Sequence, residues 1–432
     1  MKTQKYILGF LVALFTTVAL AQQTPGPTQS GAITITGATA HIGNGQVIEN
    51  AVIVMEDGKL TAVADGTVTK ITPKGKLIDA QGKHIYPGFI ATNTTLGLVE
   101  VGAVRPSNDD DEIGDMIPHV RALIAYNAES KVVESMRPNG VLMAQTRPLG
   151  GRISGTSSVV QLDAWNWEDA AYRADDGVWL NWPRPMTRGR WWLGEEPGFK
   201  PNKNYVKDID EVKTFMANAR AYSKGNTDQN LAFEAMRGVI NGSQNLYVAA
   251  NGEREIRDIL NFKKEMNVQN LVIVGAYEGP KVAQELASAN IPVILQRIQE
   301  LPNSSDDDYD YNYKFAIHLV NAGVTVALGY DGEYWQVRNL PFYAGQITGQ
   351  GMSDADALKL ITLNPAKILG IDKTSGTLET GKDATLFISE GNALDMRTNI
   401  VTRAFIQGRE LSLESHQTEL YNRYNTKAQN GQ

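Results

Sequence analysis

Gly82-Lys83-His84-Ile85-Tyr86-Pro87-Gly88-Phe89-Ile90 divides the chain into two kinds of pattern. Upstream, short segments alternate in polarity. Residues 32–36, 51–55 and 60–63 read as strands, with Gly43-Asn44-Gly45 and Asp57-Gly58 as turns. Downstream, strand-like and helix-like runs take turns. Strands are expected at 88–92, 141–145, 158–163, 178–182, 246–250, 271–275, 293–296 and 324–328. Apolar residues at helical spacing mark 209–223, 253–265, 279–289 and 312–322. Eight strands alternating with helices predict an α/β fold, a (β/α)8 barrel, with a doubly wound sheet as the alternative.

Beyond the eighth strand, Ser353 is a good N-cap, and Asn364-Pro365 ends its helix. β character then returns at 376–378, 384–388 and 401–407. Neither β-rich end is large enough for its own core. We therefore expect one small composite β-sandwich domain from 31–86 and 372–412, around a barrel over 87–371. A polar tail follows at 413–432.

The first 21 residues read as a cleavable secretory signal: Lys2 and Lys5, an apolar run, then Ala19-Leu20-Ala21. Residues 22–30 form a polar Pro/Gly linker. The expected location is periplasmic or secreted, with no membrane attachment after cleavage. The chain has 432 residues, 48 Asp and Glu against 41 Lys and Arg, five His and no Cys. Absence of Cys excludes disulfide scaffolds, thiol enzymes and Cys-ligated zinc. A net charge of -7 argues against a nucleic-acid partner.

Three stretches resemble the amidohydrolase superfamily, especially its imidazolonepropionase-like and prolidase-like exported branch. They are the opening GKHIYPGFI run, Gly323-Val324-Thr325-Val326-Ala327-Leu328-Gly329-Tyr330-Asp331, and Leu363-Asn364-Pro365-Ala366-Lys367-Ile368-Leu369-Gly370 with Gly376-Thr377-Leu378-Glu379-Thr380-Gly381-Lys382-Asp383-Ala384. The resemblance implies a distorted TIM barrel with a composite β-sandwich. It also implies hydrolysis of non-peptide carbon–nitrogen bonds in a small amide, cyclic amide or dipeptide-like substrate. The family uses Zn2+ or another divalent metal, which lowers the pKa of bound water.

The family's D-x-H-x-H pattern is altered here. Asn93 and Thr95 stand at its two histidine positions, and Ala91 replaces the acid. Ala249 and Gly275 stand where the strand-five and strand-six histidines are expected. Asp331 alone matches, as the catalytic general acid/base. None of His41, His84, His119, His318 and His416 has ligand spacing, and surface or packing roles are expected for them. The residues themselves therefore point to no cofactor.

The sequence supports two functions. One is an exported amidohydrolase using Asp331. The alternative is a metal-free, catalytically altered relative that binds a small ligand in the barrel mouth or supports a paralogue. Arg147, Arg152, Asn181 and Tyr330 are the candidate ligand-binding residues, beside other polar residues after the strands, including Gln145 and Asp163. The run Pro148-Leu149-Gly150-Gly151-Arg152 could present backbone N–H groups to an anion, or be a structural turn. Asp306, Asp308 and Asp310 invite a calcium reading, with a solvated loop as the commoner outcome. Six of seven Trp, at 165, 167, 179, 182, 191 and 192, could pack an insertion, form a homo-oligomer contact or line a cleft.

Overall fold

The computed structural model describes residues 24–189, 191–222, 228–330 and 332–430. The signal segment and Asp331 lie outside the described residues. No helix among them is long and apolar enough to cross a membrane.

Both ends of the chain build one sheet. Its strands are β1 (Ile33–His41), β2 (Val47–Glu56), β3 (Lys59–Asp65), β4 (Lys76–Asp79) and β5 (His84–Pro87). They are joined by β16 (Leu386–Ser389), β17 (Val401–Ile406) and β18 (Arg409–Glu410), in the order β18-β17-β16-β5-β1-β2-β3. Alternation explains the buried face: Ala51, Ile53 and Met55 on β2 meet Ile35, Leu386, Ile388 and Phe405 in one core. The β2–β3 hairpin turns at Asp57 and Gly58, both at positive φ (50° and 75°), as a type I′ turn requires. β4 and β5 both run parallel to β1, one against residues 33–36 and the other against 39–40.

The second sheet is the barrel. Its strands are β6 (Phe89–Thr94), β7 (Val141–Thr146), β8 (Ile153–Gln161), β9 (Ala171–Asn181), β12 (Asn245–Ala250), β13 (Leu271–Gly275), β14 (Val293–Leu295) and β15 (Val326–Leu328). Between β9 and β12 lies a hairpin of β10 (Met186–Arg188) and β11 (Phe199–Pro201). The barrel strands pair in chain order, and a parallel bridge from Thr92 to Gly329 joins the last to the first. β6 and β7 are buried along their whole length, as strands covered on both faces are. Ile90, Met143, Val159, Trp179, Tyr247 and Val274 fill the interior. Ala366, Ile368, Leu369 and Ile371 join that cluster, so the Asn364-Pro365 motif plugs the end opposite the mouth. Asn364 Nδ2 anchors the plug by donating to the Val326 carbonyl at 2.7 Å.

β8 runs antiparallel to both neighbours, which distorts the barrel. Only six residues separate Thr146 from Ile153, too few for the crossover that parallel neighbours need. This corrects the placement of Asp163 at the mouth. The end of β8 points the other way, and Asp163 lies buried in ion pairs with Arg137 (2.7 Å) and Arg409 (2.8 Å).

The tryptophans divide by position. Trp179 and Trp182 are buried, Trp167 is half-buried, and Trp165, Trp191 and Trp192 are exposed. His119, His318 and His416 are exposed. His41 and His84 meet across the β1–β5 pairing, with Nε2 and Nδ1 3.0 Å apart and His41 stacked on Tyr86. Burial, and then the neighbouring His84, lowers the His41 pKa from 6.5 to about 4; burial also lowers that of His84. The unfolded chain thus binds protons at a pH where the folded chain does not. Stability from this pair is full above about pH 6.5 and is lost as pH falls toward about 4. Thermal melts across that window should show a steep fall for the native chain, and a shallower one for His41→Gln.

Candidate active site at the barrel mouth

Alternation on β7 carries Met143, Gln145 and Arg147 along one side of the strand, from the interior cluster to the mouth. Arg147 is 9% exposed. Its Nε donates to Asn93 Oδ1 at 2.6 Å and its Nη1 to the Pro148 carbonyl at 3.3 Å. Its guanidinium lies 4.5 Å from the Trp179 ring centroid, in cation–π geometry. Asp110, in the loop after β6, lies within electrostatic reach of Arg147, and burial raises the Asp110 pKa.

Asn93 is 1% exposed and adopts a left-handed φ of 57° within an irregular stretch of the β6–β7 pairing. Its backbone N–H donates to Gln145 Oε1 at 3.2 Å. Its side-chain Nδ2 is buried without a hydrogen-bond partner. Asn is among the residues that tolerate this backbone region, and Gly329 makes room beside its Cβ.

Below Arg147 the polar chain continues inward. The Asp176 carboxylate accepts from Gln145 Nε2 at 2.8 Å, from Ser157 Oγ at 2.7 Å and from the Tyr247 hydroxyl at 2.5 Å. Tyr247 stacks on Trp179 with centroids 4.8 Å apart. Asp176 is fully buried, and that burial raises its carboxyl pKa against the lowering effect of its three hydrogen bonds. The same burial, with Asp176 beside it, holds Tyr247 well above the usual phenol range. Sequence reading missed Asp176, Ser157 and Tyr247. The available signal was the Asp175-Asp176 pair immediately before the apolar run Val178-Trp179-Leu180.

The other candidates are spread around the rim. Arg152 Nη1 donates to the Asn181 carbonyl at 2.8 Å. Asn181 Nδ2 donates to the Gly150 and Gly151 carbonyls at 3.0 and 2.8 Å. These two side chains therefore hold the β7–β8 turn. Tyr330 is buried, stacks on Tyr343 at 5.8 Å and hydrogen-bonds Gln336 through its hydroxyl. Its backbone N–H donates to the Thr92 carbonyl at 3.0 Å, continuing the barrel closure.

The described residues at these positions do not fit the family's metal. Asn93 Oδ1 is already the acceptor of a guanidinium N–H, so a cation there would meet a positive charge. Gly275 has φ 102°, and a Cβ there would strike Asn251 Oδ1, so no larger side chain is accommodated. Thr95 and Ala249 are half-buried and offer a hydroxyl and a methyl. Among the described residues no three His, Asp or Glu are grouped to hold an ion. In the acidic run, Asp307 accepts from the Tyr277 hydroxyl at 2.7 Å and Asp310 pairs with Lys314 at 2.5 Å.

Comparison with known proteins agrees with this fold. Residues 311–411 match the amidohydrolase family model. An imidazolonepropionase from Fusobacterium nucleatum is 22% identical over 395 residues, covering 82% of this chain and 89% of that protein. A 5-methylthioadenosine/S-adenosylhomocysteine deaminase from Thermoanaerobacter pseudethanolicus is 23% identical over 371 residues, covering 79% and 81%. The crystal structure of an amidohydrolase from Thermotoga maritima superposes with a TM-score of 0.77 at 22% identity, covering 88% of this chain and 99% of that one. The chain has the fold of these amidohydrolases and is similar in sequence to an imidazolonepropionase and to a deaminase.

With its carboxyl pushed toward the neutral form, Asp176 should tolerate Asn but not Leu. Asp176→Asn should change unfolding free energy by less than about 1 kcal/mol, whereas Asp176→Leu strands three buried donors at a cost of about 3 kcal/mol or more. Urea unfolding of the two variants reads the difference.

Proposed function

We propose that this chain is a catalytically altered relative of the C–N hydrolases, which binds a small molecule in the barrel mouth without a metal ion. One observation carries the reading: at the first histidine position of D-x-H-x-H, Asn93 accepts a hydrogen bond from Arg147 Nε at 2.6 Å. A guanidinium thereby supplies the positive charge beside a position where the family pattern has a metal ligand. It cannot lower the pKa of a bound water as a divalent ion does. Secretion to the periplasm or medium belongs to the same reading and rests on residues 1–21.

The hydrolase reading draws on the family match over residues 311–411 and on Asp331 in the strand-eight motif. It would assign Asp331 the proton transfer on an amide or cyclic amide. Elemental analysis of protein purified without chelators separates the two, together with turnover assays on dipeptides and lactams. The metal-free reading expects well under one zinc, manganese or iron per chain and no hydrolysis above the uncatalysed rate. About one or two tightly bound ions per chain, or measurable turnover, would sink it.

A further inference from the structure

We propose that two copies of this chain dock mouth to mouth, with the aromatic, basic β10–β11 hairpin of each copy against the acidic loop at 300–310 of the other. Both features leave the mouth side of the barrel. The hairpin follows β9 and the loop follows β14, and these strands run parallel through β12 and β13. In the sheet order β14-β13-β12-β9 they stand three places apart, so the hairpin and the loop rise at separate points of the rim. The pairing does not depend on whether the mouth holds a metal.

The hairpin is tied at its base and bare beyond it. The Asn202 backbone N–H donates to the Pro185 carbonyl at 2.8 Å, and its Nδ2 donates to the Arg184 carbonyl at 3.0 Å. Every residue of β10 and β11 is exposed, so neither face of the ribbon packs on the barrel. Trp191 and Phe199 are 69% and 73% exposed, with Trp192 and Leu193 exposed beside Trp191. Trp191 and Trp192 meet edge to face, with centroids 6.2 Å apart. Apolar side chains gathered on one exposed projection mark an interaction site, unlike single scattered ones.

Charge points to the partner. Residues 184–203 hold five Arg and Lys against two Glu, in a chain whose net charge is -7. Arg184, Arg188, Lys200 and Lys203 are exposed. Residues 300–310 hold five Asp and Glu and no Arg or Lys. Asp307 and Asp310 are held by Tyr277 and Lys314, whereas Asp306 and Asp308 are exposed, as are Leu301 and Tyr309. Each chain thus carries both halves of one contact, apolar tips beside opposite charges. A twofold pair makes that contact twice and closes. An anionic lipid surface would attract the hairpin but repel the acidic loop on the same side.

Sedimentation velocity on the purified chain tests this. A dimer should form at micromolar concentration, and should weaken about tenfold or more as salt rises from about 0.05 M to about 0.5 M. Trp191→Ser with Trp192→Ser should weaken it about tenfold or more, since aromatic anchors carry most of a contact's energy. Both Trp are exposed, so this variant should melt as the native chain does. Arg184→Asp with Arg188→Asp should abolish the dimer, as should Asp306→Arg with Asp308→Arg. All of these charge changes together should restore it, because the charges match again with signs exchanged. A chain that stays monomeric at about 100 μM in low salt overturns the proposal. So does a dimer indifferent to the Trp pair, or a combined charge variant no more associated than its halves. Binding of the monomer to vesicles of anionic phospholipid through the same Trp pair overturns it in favour of a lipid surface. If a variant does not fold, the concentration and salt dependence of the native chain decide.

Discussion

The hydrogen bond from Arg147 to Asn93 is the constraint on which the mouth is organised. It joins the ends of the first two barrel strands and fixes a cation at a buried point. A guanidinium at 9% exposure needs acceptors and a polarisable surface, because its desolvation is expensive. Asn93 and the Pro148 carbonyl supply acceptors among the described residues, and Trp179 supplies a surface. The left-handed backbone of Asn93 and the bare Gly329 beside it then follow as conditions for presenting that oxygen. A fixed guanidinium is a poor neighbour for a divalent ion.

Below the mouth, the barrel holds a polar ladder inside an apolar cylinder. Gln145 links both levels: its Oε1 accepts the Asn93 N–H, and its Nε2 donates to Asp176. Such a network is favourable only when its members are satisfied, since each orphaned group carries the full desolvation cost. Asp176 meets that condition with three donors. Among the described residues at the mouth, Asn93 Nδ2 and Trp179 Nε1 are exceptions, buried without a hydrogen-bond partner.

Much of the fold was legible because its signals are local. Short apolar runs at regular spacing announced the eight barrel strands, and the Asp57-Gly58 pair announced a hairpin. The strand-three reversal was not read, because the segment before Ser158 contains Gly150, Gly151 and Gly155 and resembles a loop. The strand begins at Ile153, and the short hairpin left behind forces the antiparallel direction. Asp163 was misplaced for that reason alone. In the site, Arg147 and Asn93 were each singled out from sequence, but in different roles. Nothing in their spacing of 54 residues says that one donates to the other.

By itself the sequence determined which residue types are available. With no Cys, thiolate ligation is excluded whatever the chain's shape, because ligation needs particular donor atoms. Only tertiary structure decided what stands at the mouth. Parallel pairing of β6 with β7 brings Asn93 beside Arg147, and pairing of β8 with β9 slides Trp179 beneath the guanidinium. Those are contacts between strands distant in the chain, set by register and barrel closure, and no local pattern encodes them.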